Sequence, residues 1–90
     1  MLNNLMGLLI NLEGKEVLIS AKSKSFQSSP FLKSLEVYQK KDGKSILLKD
    51  GKTEEDFEIY IDAVTSVETI WDNDLMIRTT DGYISLEECV

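Results

Sequence analysis

Three Asp-Gly pairs, Asp42-Gly43, Asp50-Gly51 and Asp81-Gly82, punctuate this chain. Such pairs favour tight reversal, because glycine adopts positive φ without steric cost and aspartate tolerates left-handed geometry. The segments around them alternate in polarity. Phe57, Ile59 and Ile61 fall on one face of Phe57 to Asp62, and Val17, Ile19 and Ala21 alternate with Glu16, Leu18 and Ser20. A period of two over such lengths marks a half-buried strand. Further strands are expected from Phe31 through Leu35, Val37 and Tyr38, from Lys44 to Lys49, and in a hairpin of Leu75 to Thr80 with Tyr83 to Leu86.

The first residues follow another period. Leu2, Leu5, Met6, Leu9 and Leu12 are spaced as on one face of a helix, which predicts a short amphipathic helix over residues 1–13, interrupted by Gly7 and ended at Glu13-Gly14. Its stripe reads as a lid on the end of the β structure, with contact to another subunit as the alternative, since Leu8 and Ile10 exceed what one narrow face needs. Residues 20–30, SAKSKSFQSSP, have no period that buries a face and read as a long, flexible, basic loop. Val64, Val67 and Ile70, three apart, suggest a short helical turn, and Trp71 reads as a partly buried edge of the core. Five or six short strands, tight turns and one long loop in 90 residues predict a single domain that is mainly β. The expected form is a small, strongly bent, antiparallel barrel with a short N-terminal helix.

Composition narrows the chemistry. Histidine is absent, which removes the usual general base and the commonest metal ligand, and the one cysteine, Cys89, has no partner for an internal disulfide. No phosphate-cradling glycine loop is present, so the expectation is a protein without catalysis, cofactor or metal, cytoplasmic by default. The apolar run Leu5 to Ile10 is too short to span a bilayer, and no membrane association is expected.

Residues 12–19, Leu-Glu-Gly-Lys-Glu-Val-Leu-Ile, follow a leucine-rich helix. This resembles the opening of Sm-like proteins, where a short helix leads through a Gly-Lys pair into the first strand. Leu75-Met76-Ile77-Arg78 is similar to the apolar run plus arginine of the second Sm motif, and Asp42 to Leu48 resembles the end of the first. The resemblance implies a small barrel, in the wider sense an SH3-like one, more than it implies RNA binding. The Asn and Gly that help to build the Sm RNA pocket are replaced here by Lys44 or Ser45 and by Thr79.

Charge is divided along the chain. Met1 to Lys52 carries nine Lys and five acidic residues, a balance of +4, whereas Thr53 to Val90 carries one Arg and eleven acidic residues, a balance of −10. Lys22, Lys24, Lys40, Lys41 and Lys44, with Phe26 or Tyr38 as a stacking platform, form the candidate basic surface. A pI near 4.5 weighs against nucleic acid as its partner. Glu54-Glu55-Asp56 with Glu58, and Asp72, Asp74 and Asp81 in turns, read as solubilising charge that guards strand ends, or as a surface that docks onto a basic protein. The expected function is therefore a non-catalytic interaction module that self-associates into a homo-oligomer and binds a protein partner through charged surfaces. The alternatives are Sm-like nucleic-acid binding and an acidic decoy of a nucleic-acid-binding protein.

Overall fold

A computed structural model describes residues 2–23, 27–71 and 74–89. The fold is mainly β, with two antiparallel sheets and one short helix. Among the described residues helix α1 (Leu2–Ile10) is followed by nine strand segments, more than the five or six expected: β1 (Val17–Ser23), β2 (Gln27–Ser28), β3 (Phe31–Leu32), β4 (Leu35–Gln39), β5 (Ser45–Asp50), β6 (Asp56–Tyr60), β7 (Val64–Ile70), β8 (Asp74–Thr79) and β9 (Gly82–Glu88). One sheet runs β2-β1-β9-β8-β7, with β3 also paired to β1, and the other runs β4-β5-β6. Among the described residues no strand pairing joins the two sheets into a closed barrel. Among the described residues no helix is long and apolar enough to cross a membrane.

Both sheets contribute to a single core. Val17, Ile19 and Ala21 of β1 face it, as their alternation requires, together with Ile46 and Leu48 of β5, Ile59 of β6, Leu75 and Ile77 of β8, and Ile84 and Leu86 of β9. A nine-residue helix is marginal in water by itself, so α1 depends on burying Leu5 and Leu9, with Leu12 in the turns that follow. Those turns hold the helix at one end of the sheets. The Gly14 N–H donates to the Leu35 carbonyl (2.8 Å), the Leu35 N–H to Lys15 (3.0 Å) and the Cys89 N–H to Glu16 (2.8 Å). Leu5, Leu9 and Leu12 of the stripe are thus covered by the chain's own core, although Ile10 points to solvent.

Three local expectations are corrected. Within residues 20–30, expected as a loop, the described residues are largely strand: β1 continues to Ser23, matched residue for residue to β9 down to Gly82, and β2 pairs back onto Ala21 and Lys22, while residues 24–26 lie outside the described residues. Cross-strand partners supply the order that the polar sequence does not announce. The helical turn lies at Ile61–Ala63, ahead of its expected place, and Val64 to Ile70 is strand. A shift of register between Val64 and Ser66 inserts Thr65 as an extra residue, so Val64, opposite Thr79, and Val67, opposite Ile77, face the core although they are three apart. Finally, the strand expected from Phe31 to Tyr38 is broken at Lys33-Ser34, where the chain leaves one sheet for the other.

Of the three Asp-Gly glycines, only Gly43 has positive φ (69°). Gly82 is required by close approach: a Cβ there would lie 1.8 Å from the Lys22 carbonyl oxygen. Gly82→Ala is therefore expected to destabilise the fold by about 1–3 kcal/mol, the usual cost of forced overpacking. Gly7 sits in an exposed part of α1 with nothing within 4 Å of an added Cβ. Gly7→Ala is expected to stabilise by roughly 0.5–1 kcal/mol. Urea denaturation of the two variants should give shifts of opposite sign, and a neutral Gly82→Ala would contradict the tight β1–β9 start.

Candidate interaction surfaces

Asp50 organises the break between the sheets. It ends β5 with only 5% of its surface exposed, and its carboxylate accepts four hydrogen bonds: Lys33 N–H (2.7 Å), Ser34 N–H (3.2 Å), Lys52 N–H (2.8 Å) and the Thr53 hydroxyl (3.0 Å). These donors come from the β3–β4 corner and from the turn after β5, so one side chain fixes both. Burial acts to raise the Asp50 pKa, but the donors together outweigh it and lower it from 3.8 to about 2.

The end of the molecule opposite α1 is an open mouth. There the last residues of β1 approach β6 and the start of β9 around a cavity of about 190 Å³, lined by Ala21, Phe57, Ile59, Ala63 and Ile84, with Tyr60 beside them. The cavity is smaller than the ~300–1,000 Å³ typical of small-molecule sites. Charge rings it. Lys22 lies on its edge with Glu58 and Asp81, and Lys40 makes an ion pair with Glu58 (2.9 Å). Hydrogen bonds from the Ser45 hydroxyl and from Lys40 hold the Glu58 pKa down, and Glu58 in turn raises that of Lys40. The Lys44 carbonyl accepts the Ile61 N–H (3.0 Å), which places the Lys40 to Lys44 turn at the same end.

The predicted basic residues are thus only partly united. Lys22 and the turn that carries exposed Lys40, Lys41 and Lys44 share the mouth, but they are interleaved with carboxylates. Tyr38 stands on β4, 48% exposed, and its hydroxyl donates to Glu36 (2.8 Å), which raises the tyrosine pKa. A stacking platform beside a carboxylate repels a phosphate backbone. Lys24 and Phe26 lie outside the described residues, as do Asp72 and Asn73. Among the described residues no three acidic or thiol side chains gather as a metal-binding group.

Trp71 departs most from the sequence expectation. It is not an edge of the core: 86% of it is exposed, and its φ of 54° is a left-handed conformation that costs a non-glycine residue of order 1–3 kcal/mol. The exposed Ile70 precedes it. Beside both lies a shallow groove on the outer face of β7, β8 and β9, with Met76, Tyr83 and Ser85 in it and Asp74 and Glu87 on its edges. The signal in the sequence is a bulky apolar pair, Ile70-Trp71, set directly against the polar run Asp72-Asn73-Asp74.

No protein-family model, curated protein or solved structure matches this chain.

Asp50 yields a pH prediction. Its folded pKa lies below the ordinary 3.8, so its stabilisation is complete above 3.8 and is lost as pH falls through the folded value of about 2. Asp50→Asn should lower the urea midpoint at neutral pH and flatten the fall of stability between pH 4 and 2. Identical pH slopes in the two proteins would show that the carboxylate is not held as described.

Proposed function

We propose that the chain is a non-catalytic interaction module, a half-open barrel of SH3-like or Sm-like style that associates with copies of itself and binds a protein partner through charged surfaces. The observation that carries this reading is the set of open sheet edges. Among the described residues β7 and β6 have no strand on their outer sides, whereas the outer edge of β4 is capped by Glu13, Gly14 and Lys15. A free edge offers a row of unpaired backbone donors and acceptors, which native domains either guard or use for pairing. The seven residues of β7 carry one charge, Glu68, and one bulge near the start, which is light protection for so long an edge. A common core and a helix over one end support the barrel-like description.

Charge distribution favours protein over nucleic acid as the partner. The lysines of the mouth alternate with Glu58 and Asp81, and the net charge is −6. Mixed charge orients contacts between proteins and suppresses wrong ones, whereas affinity for a phosphate backbone needs uncompensated cations.

Light scattering at tens of micromolar should give a mass above that of the monomer at low salt, falling in ~1 M salt, where the Debye length is about 3 Å. A monomer at both ionic strengths would sink the reading.

A further inference from the structure

Trp71 and the mouth are a projection and a recess on one chain that cannot meet within it. Trp71 follows the last residue of β7, whereas the mouth includes Ala63, just before β7, and Thr79, the last residue of β8. The seven residues of β7, at about 3.3 Å each, separate the two by roughly 20 Å, most of a molecule that measures 30 × 26 × 25 Å. We infer that the projection of one copy enters the recess of the next: Trp71 inserts into the mouth bounded by Phe57, Ile59, Ala63 and Ile84 of a second copy, giving a head-to-tail contact. This rests on the self-association proposed above and names the residues at its centre.

Three observations favour that occupant. First, the recess is apolar, open to solvent and sized for an aromatic side chain more than for a larger ligand. Second, an exposed tryptophan at the tip of a hairpin, with Ile70 beside it, has the character of an anchor residue, and tryptophan is enriched among residues that dominate binding energy. Third, charge selects head-to-tail over back-to-back pairing. Asp74 and Glu87 lie beside Trp71, so two Trp71 ends facing each other would gather carboxylates of one sign. At the mouth, Lys22, Lys40, Lys41 and Lys44 offset Asp42, Glu58, Asp62 and Asp81, and the acidic end of another copy meets no net repulsion. A heterologous contact of this kind propagates, to a ring if the rotation closes and to an open filament if it does not.

Trp71 is the chain's only tryptophan, so its fluorescence reports this site alone. In a dilution series of the wild-type protein the emission should shift to the blue as mass rises. Trp71→Ala should weaken association by about 30-fold or more, the effect of losing a hot-spot residue, and Ala63→Phe, which fills the recess, should do the same. Mixed, the two variants should form a 1:1 dimer that grows no further. One retains an open recess and the other an intact Trp71, and the first has no tryptophan, so titrating it into Ala63→Phe should move the emission to the blue until equimolar. A wild-type protein that associates with no shift in emission overturns the inference, as does a Trp71→Ala variant that associates unchanged, and in both cases self-association itself stands. A wild-type monomer under all conditions overturns both. The wild-type dilution series needs no variant to fold.

Discussion

The Asp50 carboxylate holds the corner on which the arrangement of the sheets depends. Lys33 and Ser34 would continue a strand from Phe31 to Gln39 if their amide groups entered a ladder; instead both point at one buried oxygen pair. The chain therefore bends, β3 stays with β1, and β4 departs to pair with β5. The same carboxylate ties down Lys52 and Thr53, so the bend and the β5–β6 turn are set by a single side chain. Burying an acid is unfavourable unless donors surround it, and here four do, which is why it remains ionised where an apolar environment would protonate it.

That corner and the Ile61–Ala63 turn are the two places where the chain passes between sheets. Among the described residues they leave β6 and β7 without a strand on their outer sides, whereas the outer edge of β4 is capped by Glu13, Gly14 and Lys15, and they open the mouth at the end away from α1. The functional proposals follow from this incompleteness. A fully closed barrel has no edges to offer and fills its interior with its own side chains. The two sheets here present apolar surface at the mouth and at Trp71 and distribute charge between them.

Several elements were legible in the residues. The alternation of Val17, Ile19 and Ala21 and of Phe57 and Ile59 identified strands, although Ile61 already belongs to the turn after β6, and the stripe Leu5, Leu9 identified a helix with one buried face. Where the reading failed, a cross-strand partner was the cause. Ser20 to Ser23 look like a loop until β9 lies beside them, and the spacing of Val64 and Val67 looks helical until the bulge at Thr65 is seen. The basic candidates were less legible still. Lys22 and the Lys40 to Lys44 turn do share one end of the molecule, but Glu58 and Asp81, distant in sequence, stand among them and blunt the patch.

The sequence by itself determined that this chain is mainly β, which faces of its best strands are buried, and that its helix needs a core to rest on. These are consequences of local periodicity, and periodicity is a property of neighbouring residues. Only the tertiary structure decided that Asp50 is a buried staple and not merely a turn residue, that Gly82 is required by the Lys22 carbonyl across the sheet, and that Trp71 projects into solvent. Each of those depends on a group many positions away, and which distant groups meet is set by the register of strands and the bend of the sheet, not by spacing along the chain.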